Sequence, residues 1–153
     1  MTGDCYACAL QSEGRALAAR ERLFSYGGFH VAHAFNSSLE GWLVLVSDRH
    51  VEAMEALTAS EADSLGRLVH ATATALRAVT GCVKSYVLFL AEAERFHHLH
   101  VHVVPRAAGM PESYRGANVF EYLKQPQSAW VPVARMDEVA LAVRAELQRL
   151  LGA

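Results

Sequence analysis

The stretch HLHVHVV, residues 98–104, alternates histidine with apolar residues. Side chains two apart on a β-strand share a face, so the pattern predicts a strand with His98, His100 and His102 on one side and apolar residues facing the core. Alternate side chains on a strand stand roughly 7 Å apart, a spacing that suits one small anionic group or one metal ion. The pattern favours phosphate chemistry; a three-histidine metal site and a coincidental polar face are the alternatives.

The segments around this strand predict an α+β fold, with an antiparallel β-sheet, a long central helix and a C-terminal helix. Apolar residues at spacings of three and four between positions 65 and 79 indicate the long helix. Thr58 with Glu61 fits a capping box before this helix, and Gly81 fits a C-terminal cap after it. The strands are predicted over residues 29–35, 42–47, 85–90 and 96–104, and the C-terminal helix over residues 137–150.

The remaining segments carry weaker signals. Residues 13–21 are rich in alanine and arginine and are predicted to form a short helix or an irregular arm. Pro105 is expected to end the histidine strand, because proline lacks the N–H that a sheet uses. Residues 106–134 hold three of the four prolines, so this stretch is predicted to be mostly loop.

Length and composition limit the classes of protein to which this chain can belong. The 153 residues, of which 52% are hydrophobic, suit one domain over residues 1–153 with a packed core. The longest apolar run, residues 86–91, is too short to span a bilayer, and the first residues do not resemble a secretory signal. A net charge of −2 disfavours a protein that binds nucleic acid by neutralising phosphates. Three cysteines, an odd count, disfavour a disulfide-stapled secreted domain, so a cytoplasmic setting is expected.

The seven residues 98–104 match the signature H-φ-H-φ-H-φ-φ, in which φ is apolar, at every position. In this the chain resembles the histidine triad family of nucleotide hydrolases and transferases. The resemblance extends over residues 5–106, with a hairpin, the pair Arg49-His50 after a strand, one long helix and the histidine strand. It implies one histidine triad domain, completed by a loop and a helix over residues 107–153. It also implies a homodimer formed through the long helix and an edge strand.

The resemblance further implies a reaction. His100 would attack the α-phosphorus of a nucleoside phosphoramidate or a (di)nucleoside polyphosphate, and water or another acceptor would then resolve the nucleotidyl-histidine. Histidine suits this role because one nitrogen of a neutral imidazole is nucleophilic while the other donates a hydrogen bond. His102 would bind the phosphate or help to protonate the leaving group. Two alternatives remain open: a non-catalytic nucleotide-binding or sensor protein, and a nucleotidyl transferase with a phosphorylated acceptor.

The chain departs from the family pattern near the triad. Many members have an Asn-x-Gly and a Gly-Gln there, which donate hydrogen bonds to phosphate, whereas residues 91–96 of this chain are AEAERF. Arg95 could supply a charge-assisted contact to phosphate instead. Asn36, in the predicted hairpin turn, could face a ribose or be a plain turn residue. Gly41-Trp42 stands where many members have Gly-His, so a fourth histidine is missing at that place.

Cys5 and Cys8 form a Cys-x-x-Cys pair that fits a redox pair, half of a zinc site or two buried thiols. A thioredoxin-like pair follows a strand, and only four residues precede Cys5, which disfavours the redox interpretation. A subset of histidine triad proteins resembles this chain in its N-terminal Cys-x-x-Cys. That resemblance implies structural zinc bound by Cys5, Cys8, His50 and His98, which would hold His98 away from catalysis. Cys82 is expected to be a structural thiol.

Overall fold

An antiparallel sheet organises the fold in the computed structural model, which describes residues 4–13 and 15–152. Its strands are β1 (Phe24–Tyr26), β2 (Phe29–His33), β3 (Leu43–Ser47), β4 (Lys84–Phe89) and β5 (His100–Arg106). The order across the five-stranded sheet is β1-β2-β3-β5-β4, and every neighbouring pair is antiparallel. The histidine strand β5 therefore lies inside the sheet, and β4 forms one edge. The predicted α+β class is confirmed.

Three α-helices accompany the sheet in the described part of the chain: α1 (Tyr6–Ser12), α2 (Ala59–Thr80) and α3 (Val133–Leu151). The predicted ends of the long helix are confirmed. The Thr58 hydroxyl accepts a hydrogen bond from the N–H of Glu61, whose carboxylate accepts one from the N–H of Thr58. Gly81 ends α2 in the left-handed conformation that glycine adopts without strain. Within the described ranges, no helix is long and apolar enough to cross a membrane.

The sheet separates a hydrophobic core from the face that carries the histidines. Residues directly opposite each other on neighbouring strands share a face of the sheet. Leu45 of β3 lies opposite Val101 of β5, and both are buried in the core that contains residues of α2 and α3. Val46 lies opposite His100, so this next pair points to the other face. The pleat of β5 thus turns Val101 and Val103 towards the helices and its histidines away from them.

The histidine strand differs from its prediction at both ends. It begins at His100 rather than at residue 96, so the prediction that His98 shares a strand face with His100 and His102 was wrong. It also continues through Pro105 to Arg106, where the prediction ended it. Pairing between β3 and β5 stops at Val103, so the proline has a neighbouring strand on one side alone, a position that sheets tolerate.

Several other boundaries also moved. Of the two alternatives predicted for residues 13–21, the irregular arm is confirmed over residues 15–21, and helix α1 ends before them at Ser12. Helix α3 begins at Val133, earlier than the predicted start at residue 137. The stretch predicted as mostly loop forms short 3₁₀ segments at Glu112–Tyr114, Gly116–Leu123 and Gln127–Ala129. Val119 in the second of these is buried in a small apolar cluster with Trp42.

Gly41 and Gly66 form a matched pair for testing the backbone. Gly41 has φ +82°, and an added Cβ would lie 3.2 Å from Thr80 Cγ2 and 3.3 Å from Leu76 Cδ1. Gly66 lies within α2, where an added Cβ would meet no described atom within 4 Å. Gly41→Ala should therefore lower the free energy of unfolding by about 1–3 kcal/mol. Gly66→Ala should raise it by about 0.5–1 kcal/mol. Urea unfolding measures both, and effects of the same sign would contradict this backbone geometry.

Candidate functional site

A cavity of about 830 Å³ opens on the face of the sheet that carries His100 and His102. Side chains of β2, β3 and β5 form its floor, among them Ala32 and Val44. Its walls come from α1, from the segment before β5 and from residues near the start of α3. This volume lies in the range of pockets that hold small molecules.

His100 has one ring nitrogen engaged, which determines the state of the other. Its Nδ1 lies 2.7 Å from the carbonyl oxygen of His98, and a carbonyl can only accept, so Nδ1 carries the proton. Burial lowers the pKa of His100, so the ring is neutral near pH 7. A neutral ring protonated on Nδ1 keeps its lone pair on Nε2. Such a nitrogen beside a cavity is suited to nucleophilic attack.

His102 lies next to His100. The ring centroids of His100 and His102 are 4.8 Å apart, with planes nearly perpendicular at 80°. Burial first, and the neighbouring His100 second, lower the pKa of His102 to about 3. The indole N–H of Trp42 donates a hydrogen bond to Nδ1 of His102 over 3.0 Å, and Phe120 packs edge-on against the same imidazole. A second neutral imidazole therefore stands beside that of His100.

His98 belongs to a different group of side chains, the thiol–histidine cluster of Cys5, Cys8, His50 and His98. Its four ligand atoms all lie within 4.8 Å of one another. The two Nδ1 atoms are 3.2 Å apart, and three sulfur–nitrogen distances are 3.3, 3.5 and 3.6 Å. Typical bond lengths around a tetrahedral zinc ion would separate two nitrogens by about 3.3 Å and a sulfur from a nitrogen by about 3.6 Å. The cluster therefore fits one tetrahedral metal ion.

Both histidines of the cluster direct Nδ1 to the thiols. Nε2 of His98 lies 2.6 Å from the carbonyl oxygen of Ser47, and Nε2 of His50 lies 3.3 Å from the carboxylate of Glu52. These acceptors favour a proton on Nε2 and a free lone pair on Nδ1, the arrangement that metal-binding histidines commonly show. Burial also lowers the pKa of His98, which keeps that ring neutral as a metal ligand must be.

Local backbone structure explains how the cluster assembles. Cys5 caps α1 and Cys8 follows three residues later, so the two thiols lie on one face of the helix. The N–H of Tyr6 donates to the carbonyl of Arg95 over 3.0 Å, which joins α1 to the segment before β5. Ala91 and Arg95 in that segment have φ of +55° and +68°, a region that residues other than glycine rarely adopt. The segment thereby carries His98 away from the line of β5.

Comparison with known proteins finds similarity in structure. No family model and no curated protein matches the sequence. A zinc-bound histidine triad family protein from Mycobacterium smegmatis is 19% identical, with a TM-score of 0.71 over 99% of both chains. A hypothetical histidine triad nucleotide-binding protein from Sulfolobus tokodaii is 14% identical, with a TM-score of 0.71 over 95% of this chain and 93% of that one. A uridylyltransferase is 18% identical, with a TM-score of 0.64 over 97% of this chain and 47% of its own.

The chain has the histidine triad fold. The resemblance seen in residues 98–104 is thereby confirmed at the level of the fold. One of the similar structures is zinc-bound, which agrees with the metal site indicated by the thiol–histidine cluster. At 14–19% identity the similarity concerns the fold, so the substrate has to be inferred from the site itself.

The histidine triad fold brings the predicted site residues to one cavity. His100 and His102 lie on its floor, and Asn36 and Arg95 line its wall. The guanidinium of Arg95 lies 3.2 Å from the carboxylate of Asp4, so a phosphate would have to compete with this exposed ion pair. The predicted metal ligands lie together in the thiol–histidine cluster, beside the cavity rather than on its floor.

Sequence analysis missed two residues that contact His102. Trp42 was noted there only as the place of a missing histidine, although its indole N–H is itself a donor. Phe120 lies in the stretch that was predicted as mostly loop, and its ring centroid is 5.6 Å from that of Trp42. The apolar pair Val119-Phe120 was the available signal that this stretch packs against the sheet.

Loss of one thiol should abolish metal binding. The geometry predicts that the protein binds one equivalent of Co²⁺ and shows the absorption of a tetrahedral site with thiolate ligands. Cys8→Ser should lose this absorption, because it removes one of the four ligands. Cys82→Ser is the matched control, since Cys82 is a buried free thiol outside the cluster. Spectroscopic titration measures all three proteins, and an unchanged cobalt signal in Cys8→Ser would contradict the four-ligand site.

Proposed function

We propose that this protein is a nucleotide hydrolase or nucleotidyl transferase of the histidine triad family. It acts on the α-phosphorus of a nucleoside phosphoramidate or a (di)nucleoside polyphosphate. The observation that carries the proposal is the hydrogen bond from Nδ1 of His100 to the carbonyl of His98, which leaves a lone pair on Nε2. Two similar structures, a hypothetical histidine triad nucleotide-binding protein and a uridylyltransferase, support nucleotide chemistry on this fold.

The reaction proceeds in two displacements at phosphorus. In the first, the lone pair on Nε2 of His100 forms a bond to the α-phosphorus, and the bond to the leaving group breaks with its electron pair. The carbonyl of His98 stabilises the cationic nucleotidyl-imidazole, because Nδ1–H donates to it. In the second, water or another acceptor attacks phosphorus and loses its proton to solvent. The N–P bond then breaks, and His100 recovers its lone pair.

The cavity wall suits the nucleoside part of such a substrate. A group of aromatic rings lines it, with ring centroids 5.2 to 6.4 Å apart. The group consists of Tyr6, Phe35, Phe96 and Trp130. Aromatic rings stack on any nucleobase, so we place the base against this group. Asn36 on the same wall would then contact the ribose, and Arg95 would contact phosphate.

Zinc is the proposed metal of the thiol–histidine cluster, in a structural role. Two thiolates with two imidazoles are a common ligand set of structural zinc, and four protein ligands leave no position open for substrate. The ion would fasten α1 to the segment before β5. It would also hold His98 in place, so that its carbonyl stays on Nδ1 of His100. A reducing compartment such as the cytoplasm would keep both thiols able to bind metal.

Transfer to a phosphorylated acceptor is the second candidate function. The similarity to a uridylyltransferase favours it, because that protein's name describes nucleotidyl transfer. Both candidates share the first displacement and differ in what attacks the nucleotidyl-histidine. Slow hydrolysis that accelerates when a phosphorylated acceptor is added would favour transfer, and hydrolysis that no such acceptor accelerates would favour the hydrolase.

A covalent intermediate on His100 is the direct test of the proposed function. Intact-mass spectrometry after brief mixing with diadenosine tetraphosphate, and separately with adenosine 5′-phosphoramidate, should show a transient adduct of one AMP. His100→Ala should form no adduct and should lose roughly 10³-fold or more of the turnover, because it lacks the nucleophile. His70→Ala is the control, since His70 is an exposed residue of α2. Undiminished turnover in His100→Ala would refute the assigned nucleophile.

The edge of the sheet supports a proposed homodimer. Strand β4 has β5 on one side alone, and it carries the exposed Val87, with Leu90 exposed just after it. An unpaired edge with exposed apolar residues is a ready surface for a two-fold copy of the same strand, with α2 beside it. Val87→Lys should convert the dimer to a monomer, measured by light scattering after size-exclusion chromatography. Leu141→Lys, on the exposed face of α3, should leave the dimer intact. A monomeric wild type would refute the proposal.

A further inference from the structure

Among the residues that the structure describes, Trp42 is the one whose type departs from the family pattern and whose side chain donates a hydrogen bond to a triad histidine. It is fully buried between Gly41 and the start of β3. Its Nε1 lies 3.0 Å from Nδ1 of His102, and the two rings meet edge-on with planes at 89°. Phe120 packs against both rings, with centroid distances of 5.6 Å to Trp42 and 5.3 Å to His102. The indole is therefore held in this orientation by packing.

This contact determines which nitrogen of His102 carries the proton. An indole N–H can only donate, so Nδ1 of His102 must accept with its lone pair. The proton of the neutral imidazole then resides on Nε2. His100 has the opposite arrangement, because its Nδ1 donates to the carbonyl of His98. The two neighbouring rings thus offer complementary atoms, a lone pair on one Nε2 and an N–H on the other.

We infer that Trp42 is a positioning residue that keeps His102 neutral, with the proton on Nε2. His102 then acts as a fixed hydrogen-bond donor to the phosphate rather than as a general acid. The inference rests on the proposed function and deepens it, since it states how the second histidine takes part. A family member with histidine in place of Trp42 lacks this restriction, because an imidazole can donate or accept.

The surroundings of His102 oppose a second proton on its ring. That proton would have to sit on Nδ1, where it would face the indole N–H. The cross-strand neighbours of His102 are Val44 on β3 and Leu88 on β4, and Phe120 packs against its ring. Of the described residues packed against this ring, His100 is the one that titrates, and it is neutral itself. No carboxylate among these neighbours would stabilise an imidazolium.

A neutral donor has a consequence for the leaving group. The N–H of a neutral imidazole is a very weak acid, so His102 does not transfer its proton when the bond to phosphorus breaks. A phosphate or polyphosphate leaves as a stable anion and needs no proton from the enzyme. An amine leaving group does need one. The site is therefore selective for (di)nucleoside polyphosphates over phosphoramidates.

Nuclear magnetic resonance on the metal-replete protein tests the hydrogen bond without any substrate. With ¹⁵N-labelled histidine and tryptophan, a coupling through the hydrogen bond should join Nε1 of Trp42 to Nδ1 of His102. The chemical shifts of His102 should show Nδ1 without a proton and Nε2 with one, unchanged from pH 8 to pH 5. A protonated Nδ1 in the wild type would overturn the inference.

Two variants then test what the indole does. Trp42→Phe keeps an aromatic ring but removes the donor, so His102 should populate both tautomers. Its pKa should rise above the wild-type value, although burial still holds the pKa below that of a free imidazole. Trp130→Phe is the matched control for the tautomer, since that indole donates to the carbonyl of Gln125 instead. A folded Trp42→Phe protein with the wild-type tautomer alone and an unchanged pKa of His102 would overturn the inference.

Kinetics give the second readout. In the wild type, kcat/KM for diadenosine tetraphosphate should exceed that for adenosine 5′-phosphoramidate at pH 6. In Trp42→Phe this ratio should fall by about tenfold, because Nδ1 of His102 no longer faces a donor and can take up a proton from solvent while Nε2 gives its proton to the amine leaving group. An unchanged ratio in a variant with altered tautomer would overturn the selectivity. If His100→Ala refutes the nucleophile, the wild-type spectrum still reports the hydrogen bond, so failures of the two proposals are distinguishable.

Discussion

Burial of Val101 and Val103 against the helices determines where His100 and His102 point. Strand β5 is paired with β3 on one side and β4 on the other, so its pleat cannot rotate. His100 and His102 therefore face the cavity. A shift of the register by one residue would exchange the two faces and place both imidazoles in the hydrophobic core. The cavity, the candidate nucleophile and its neighbouring donor all depend on this register.

Two hydrogen bonds then place the proton on opposite ring nitrogens of the two adjacent imidazoles, His100 and His102. The backbone carbonyl of His98 accepts from His100, and the buried indole of Trp42 donates to His102. Each partner is held by a different part of the chain. The thiol–histidine cluster holds His98, and Phe120, from a 3₁₀ segment that follows β5, packs on Trp42. The orientation of His100 and His102 thus depends on residues that lie outside the motif at positions 98–104.

Much of the fold could be predicted from local patterns. The capping box at Thr58 and the glycine at position 81 place the ends of α2 correctly, because caps are hydrogen bonds between residues a few positions apart. The strand boundary at His98 could not be predicted in the same way. The alternating pattern favours a strand there, but contacts with thiols about ninety positions earlier and the strained turn at Arg95 take precedence. Residues 106–134 were predicted as mostly loop, so the 3₁₀ segment whose Phe120 packs against His102 was not predicted.

The sequence by itself determined which residues are apolar or polar on each strand, where the long helix begins and ends, and which histidines are the candidates for the chemistry. These follow from neighbouring residues and their periodicity. Only the tertiary structure decided that His98 lies outside the strand, in the thiol–histidine cluster, and that Trp42 contacts His102, sixty positions away. Contacts of that kind depend on how the sheet, α1 and the 3₁₀ segments pack together. The spacing of residue types along a short stretch of sequence does not predict that packing.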